Sequence, residues 1–154
     1  MIRAATRADL GEVVSALLAL NANGSAADPR YRLRPDAKLR ELLSAEWFDR
    51  FLPFPACWVS PGATGLVGVI SCQIVPEHPV LDQAPTVRID NLWVAPEHRR
   101  AGLGLALVEK VREQASRAGF PRLVASTLAQ DAQALAFWRR AGFSDLNVLL
   151  ARTD

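Results

Sequence analysis

The sequence predicts a mixed α+β fold, with a mostly antiparallel front half and a β-α-β unit behind it. Two observations support this prediction. Apolar residues recur every three to four positions in some stretches, and short runs rich in β-branched residues lie between turn residues in others. In chain order these stretches are β-α-α-β-β-β-α-β-α-β. Half of the 154 residues are apolar, which is enough for a continuous core, so we expect one domain over residues 1–154.

The first third of the chain is mainly helical in pattern. A short strand is predicted at Ile2–Ala5, and Thr6 and Asp9 after it have the spacing of a capping box. An amphipathic helix follows and is expected to end in the polar segment 21–24; its apolar stripe is Leu10, Val13, Val14, Leu17 and Leu18. A second helix is expected from about Asp36, with an apolar stripe at Leu39, Leu42, Leu43, Trp47 and Phe51.

The middle of the chain reads as strands. Segments 57–59 and 66–75 are joined by Pro61–Gly65, which is typical of a hairpin, and a third run is Thr86–Val94. The remaining elements are expected as a helix at about 101–118 capped by Gly119, a strand at 122–127, a helix at 131–141 stopped by Gly142, and a last strand at Leu146–Arg152.

Composition excludes several classes of protein. Lys and Arg number 18 against 16 Asp and Glu, and there is no basic stripe with interleaved aromatic residues, so no nucleic-acid partner is expected. No apolar stretch reaches the ~20 residues of a membrane span and no signal peptide is recognisable, so we expect a cytoplasmic protein. Cys57 and Cys72 lack metal-ligand spacing, so we expect buried thiols and no metal.

The segment Val87–Val94 contains a change of phase. Val87 and Ile89 alternate as in a regular strand, but Leu92 comes three residues after Ile89. A β-bulge near Asp90–Asn91 would absorb this slip and return the later residues to the same face. Such a bulge would also separate the strand from its neighbour, leaving backbone groups that can bind an extended amide-bearing ligand.

The segment Arg99–Gly104 has the composition of a phosphate-binding turn. Two arginines and two glycines precede a helix, whose first N–H groups have no internal partner. A Walker loop is excluded because the Gly-Lys-Ser/Thr ending is absent, and Leu107 stands where a dinucleotide fingerprint needs its third glycine. A strand-to-helix turn without a ligand is the remaining alternative.

The order Val94-x-Pro-x-x-Arg-Arg-x-Gly-x-Gly104 resembles the acetyl-CoA signature of the GNAT superfamily. Segments 2–10 and 134–143 are similar to the first strand and helix and to the last helix of that family, so the resemblance covers essentially the whole chain. It implies a twisted, mostly antiparallel sheet of about six to seven strands flanked by about four helices, and acetyl transfer from acetyl-CoA to a primary amine of a small molecule or peptide. A homodimer is possible, because dimers are common among relatives.

The resemblance also implies roles for individual residues. Leu92, Trp93 and Val94 would offer backbone groups to the pantetheine arm of the cofactor. The pyrophosphate would be surrounded by Arg99, Arg100, Ala101, Gly102, Leu103 and Gly104. Phe137 and Trp138 would lie near the thioester.

An alkylamine has a pKa of about 10.4 and must lose a proton before it attacks, and Asp90 is the candidate base. A solvated or salt-bridged strand aspartate is the alternative, with Glu77, His78 and Asp82 as further candidates for the base.

Two positions depart from the family's pattern. Trp138 stands where a tyrosine often protonates the departing thiolate, and Asp131 stands where an asparagine is often found. Tyr31 could reach the acceptor side from its loop. Because an indole N–H is not a practical acid, a binding protein that kept the cofactor cleft but lost turnover is the alternative function.

Overall fold

The computed structural model describes residues 1–28, 30, 32–34 and 38–152. Among these residues it contains four α-helices: α1 (Leu10–Ala27), α2 (Leu39–Phe48), α3 (Leu103–Arg117) and α4 (Ala132–Arg140). It also contains five strands: β1 (Arg3–Ala4), β2 (Cys57–Pro61), β3 (Leu66–Val75), β4 (Thr86–Val94) and β5 (Leu123–Ala125). The strands follow one another in the sheet in chain order. The first three pairings are antiparallel and β4–β5 is parallel, so the predicted fold class is confirmed.

The core forms two clusters, one on each face of the sheet, because alternate side chains of a strand point to opposite faces. On β2, for example, Trp58 belongs to one cluster, whereas Cys57 and Val59 belong to the other. The first cluster includes α3 through Leu107, Val108, Val111 and Ala115, and part of α4 packs against it. The second cluster is closed by α1 and α2. The sheet is therefore covered on both faces.

The start of α1 is held by a buried carboxylate. The backbone N–H of Thr6 donates to Asp9 at 2.7 Å, as the capping pattern predicts. The Arg3 guanidinium donates two further bonds to the same carboxylate, each 2.8 Å long. These bonds hold the pKa of Asp9 far below its ordinary value.

The predicted end of α1 is wrong. The helix passes through residues 21–24 and continues to Ala27, and the N–H of Asp28 donates to the carbonyl of Gly24 at 2.9 Å. A glycine inside a helix costs about 1 kcal/mol relative to alanine, which tertiary packing can override. Leu18, predicted to lie on the buried stripe, is 46% exposed.

The apolar stripe predicted for the second helix is only partly correct. Leu43 is buried, but Leu42 is 53% exposed and Phe51, beyond the end of α2, is 98% exposed. Asp36 and Tyr31 lie outside the described residues, and the helix begins at Leu39.

The last predicted strand is also wrong. Residues 146–152 are described and form no strand, and Val148, Leu149 and Leu150 are at least 80% exposed. An apolar run becomes a strand only where another strand accepts and donates its backbone hydrogen bonds. Among the described residues β5 pairs with β4, and no strand pairs with residues 146–152.

Candidate cofactor-binding and catalytic site

The bulge predicted in β4 is present. Ser71 pairs with Asn91 and its neighbour Cys72 pairs with Ile89, so Asp90 is the extra residue in the ladder. The shift returns the later residues of β4 to the face of the earlier ones. Val87 and Ile89 are buried in the first core cluster, and Leu92 and Val94 pack against the same cluster.

The two parallel strands part at this bulge. β5 pairs with Val87, Arg88 and Ile89 only, whereas residues 91–94 of β4 pair with β3. One backbone edge of Asn91–Val94 therefore has no strand beside it among the described residues. This is the separation that the change of phase predicts.

Asp90 itself is held by two side chains. Its Oδ1 accepts from Nε of Arg88 and its Oδ2 accepts from Nε2 of Gln73, each at 2.8 Å. The Asp90 side chain is 29% exposed. Since a carboxylate oxygen has two lone-pair directions, each oxygen can still accept a bond from water. The ion-paired environment that the sequence left as an alternative is thus present.

The turn between β4 and α3 has unusual backbone angles. A 3-10 turn at Pro96–His98 leads to Arg100, with a φ of 62°, and then to Gly102, with a φ of 84°. The first backbone bond of α3 runs from Ala106 N–H to the Gly102 carbonyl at 3.0 Å, so the N–H groups at positions 103–105 precede the helix ladder. Nε of Arg99 donates to the Val94 carbonyl at 2.9 Å and ties the turn to the end of β4.

Gly104 permits close packing between α3 and α4. A Cβ atom at this position would lie 3.2 Å from Cε2 of Phe137 and 3.7 Å from Cγ2 of Val94. At Gly102, by contrast, a Cβ atom would meet no protein atom within 4 Å. The structure therefore brings Val94, Gly104 and Phe137 together, and it leaves open space at Gly102.

The aromatic residues of the predicted site differ in their surroundings. Trp138 lies between Phe137 and Phe143, with edge-to-face ring centroids 5.1 and 5.0 Å apart. Trp93 packs against the second core cluster, and its side chain lines a cavity of about 210 Å³ with Glu12, Ser15, Ala16 and Leu66. The Trp93 side chain is thus on the α1 side of the sheet, and only its backbone could serve a ligand on the α3 side.

Asp131 caps a helix, and the two cysteines are buried thiols. The Asp131 carboxylate accepts from the backbone N–H of Ala134 at 2.9 Å and caps α4. Burial raises the pKa of Cys72 to about 12, with a smaller contribution from the charge of Asp90, and burial raises that of Cys57 also. At neutral pH both thiols are protonated, which argues against a cysteine nucleophile.

The other candidate bases lie in a loop, and the two hydrogen-bond partners of Asp90 were not predicted from the sequence. Glu77, His78 and Asp82 are exposed in the loop before β4. Sequence reasoning did not identify Arg88 and Gln73 as partners of Asp90. Arg88 is two residues before Asp90 and shares its strand face, a signal that was available. The contact with Gln73 follows only from the register between β3 and β4.

Residues 24–143 match the acetyltransferase (GNAT) family. The chain belongs to this family. It is 33% identical over 86 residues to N-acetyltransferase family 8 member 3 of Rattus norvegicus; the match covers 56% of this chain and 37% of that protein. The chain thus spans well under two thirds of that curated relative.

Similar solved structures extend over the whole chain. A four-fold mutant of a Bacillus halodurans protein has a TM-score of 0.80 at 18% identity, with 99% of each chain covered. An aminoglycoside N-acetyltransferase in complex with CoA has a TM-score of 0.72 at 15% identity, covering 100% of this chain and 99% of that one. At such identities these structures establish the shared fold. Within the described residues, no helix has the length and apolar character to cross a membrane.

Proposed function

We propose that this member of the family is an acetyl-CoA-dependent N-acetyltransferase. The observation that carries the proposal is the position of the turn 99–104 immediately beyond the unpaired edge of β4. The cofactor's pyrophosphate would lie on this turn, held by Arg99, Arg100 and the N–H groups of positions 101–104. The pantetheine arm would then follow the backbone of 92–94, and the thioester would lie near Phe137 and Trp138.

The turn suits a group with two phosphates. The start of a helix favours an anion by about 0.3–2 kcal/mol, and its N–H groups add directional bonds. The open space beside Gly102 leaves room for the ligand, whereas a side chain at Gly104 would press on Phe137. The backbone of β4 beyond Asp90 offers hydrogen-bonding groups to the amides of the pantetheine arm.

The chemistry is direct transfer. The amine nitrogen attacks the carbonyl carbon of the thioester, a C–N bond forms, and the C–S bond breaks to release CoA thiolate. Asp90 would accept the ammonium proton, through water held by the lone pairs that Arg88 and Gln73 leave available. The nitrogen would lose its second proton to solvent as the amide forms. Since Trp138 cannot act as an acid, the thiolate would take a proton from solvent.

The acceptor we propose is a primary amine of a small molecule or peptide. Because one solved structure of the same fold is an aminoglycoside N-acetyltransferase, aminoglycosides are among the amines to be tested.

The experiment has two steps. Calorimetric titration with acetyl-CoA and with CoA measures cofactor binding, and a thiol reagent then measures release of CoA across a panel of aminoglycosides, amino acids, peptides and simple alkylamines. If the chain is an enzyme, we expect saturable binding of acetyl-CoA and release of CoA that depends on the amine. Binding without release on any amine would favour the acyl-CoA-binding alternative, and absence of binding would contradict both.

A further inference from the structure

Polar side chains cluster around the bulge in β4. Arg88 and Gln73 face each other across the ladder between β3 and β4, and both donate to Asp90. Beside them, Nδ2 of Asn91 donates to Oγ of Ser71 at 2.9 Å, and Ser71 is buried. The bulge leaves Asp90 without a paired Cα on β3. Side-chain bonds therefore restrain the position at which the regular ladder is interrupted.

We propose that Arg88 and Gln73 are positioning residues for Asp90. They hold its carboxylate in one rotamer, with both oxygens fixed and one acceptor direction of each left for the water that carries the amine's proton. This inference rests on the proposed function and specifies how its base is oriented. A displacement of about 1 Å in a catalytic group can lower turnover by up to about 100-fold, so such orientation has a measurable effect.

The small contribution of the Arg88–Asp90 ion pair to the stability of the fold argues against a purely structural role for it. The Arg88 side chain is 43% exposed and the Asp90 side chain is 29% exposed. An ion pair exposed to this degree contributes little to the stability of the fold, because solvent screens it. Two bonds of 2.8 Å to the two oxygens of one carboxylate nevertheless restrict its orientation strongly. The arrangement thus affects the geometry of Asp90 far more than the free energy of unfolding.

A double-mutant cycle tests this coupling, with the amine that the acceptor panel identifies. We expect Arg88→Met to lower kcat by about 10-fold, with the KM for acetyl-CoA within about two-fold, because the cofactor contacts are elsewhere. Arg88→Lys, which can still donate to the carboxylate, should recover part of this loss.

Asp90→Asn should lower kcat by about 100-fold or more. In the Asp90→Asn background, Arg88→Met should change kcat by less than about two-fold, since Arg88 acts through Asp90. The same reasoning predicts a lowered kcat for Gln73→Leu.

Arg112 provides the matched control. Its Nε donates to Glu109 at 2.7 Å on the exposed side of α3, so Arg112→Met removes a similar ion pair away from the bulge. We expect kcat to be unchanged in this variant, and all the single variants should melt within about 2 °C of the parent chain.

Distinct results would overturn the inference. An equal loss from Arg88→Met with and without Asp90 would show that Arg88 acts independently, and unchanged kcat would show that it positions nothing. Full activity in Asp90→Asn would remove Asp90 as the base while the acetyltransferase function stands. A parent chain that binds acetyl-CoA but transfers to no amine would overturn the inference together with the proposed function.

Discussion

Gly102 offers the most direct test of the proposed pyrophosphate site, through the substitution Gly102→Asp. The residue has a φ of 84° and precedes the first residue of α3, and a Cβ atom there would meet no protein atom within 4 Å. The aspartate side chain would therefore extend into the space where we place the pyrophosphate. Asn and Asp tolerate this left-handed conformation better than other residues with a side chain, so we expect the variant to fold.

The expected loss of affinity follows from Coulomb's law. A carboxylate about 6 Å from one phosphate charge, at an effective dielectric constant of about 20, costs about 3 kcal/mol. Screening by salt at physiological ionic strength lowers this figure, so we expect acetyl-CoA to bind about 30- to 100-fold more weakly. Gly102→Asn has the same shape without the charge, and its affinity should stay within about five-fold of the parent chain.

Calorimetric titration with acetyl-CoA measures these affinities, and Gly119→Asn controls for the backbone conformation. Gly119 follows the other end of α3 with a φ of 86° and similar open space, so the strain of substitution is matched. We expect Gly119→Asn to affect the melting temperature but not the affinity. Equal affinity of Gly102→Asp and the parent chain would refute the assignment of pyrophosphate to this turn.

Three further predictions concern packing, charge and thiol chemistry. Gly104→Val should push the Phe137 ring away and destabilise the fold by about 1–3 kcal/mol in urea unfolding; unchanged stability would contradict the close contact. Asp9→Ala should cost about 2–3 kcal/mol at pH 7. The bonds from Arg3 lower the pKa of Asp9 in the folded state. The stabilisation by Asp9 is therefore complete when the pH is above its ordinary pKa of 3.8, and it is lost as the pH falls below that value. A stability difference between Asp9→Ala and the parent chain that is as large at pH 2.5 as at pH 7 would contradict this prediction. Cys57 and Cys72 should react with a thiol reagent at pH 8 only after unfolding in urea, since burial raises the pKa of both, and rapid labelling of the folded chain would show that they are accessible.

The features predicted best from the sequence are those set by neighbouring residues. The spacing of Ile89 and Leu92 predicted the bulge, because side chains alternate along a strand and a three-residue step must be absorbed locally. Gly119 and Gly142 end their helices with positive φ, as their positions indicated. The resemblance of 94–104 to the family signature correctly predicted the family.

The features that the sequence could not settle depend on distant partners. Residues 146–152 have the composition of a strand, but a strand forms only beside another strand with hydrogen-bonding groups to share. The continuation of α1 through Gly24 and the exposure of Phe51 likewise depend on packing that no local pattern encodes.

The features of the candidate site also fall into those set by neighbouring residues and those set by distant ones. The sequence by itself determined that a bulge lies near Asp90–Asn91 and that a glycine-bearing turn begins α3, because both follow from steric rules within a few residues. Only the tertiary structure decided that Gln73 meets Asp90, that Phe137 lies against Gly104, and that Trp138 is enclosed by aromatic rings. Those contacts depend on the register between strands and on the docking of α4 against α3, which bring together residues that are far apart in the chain.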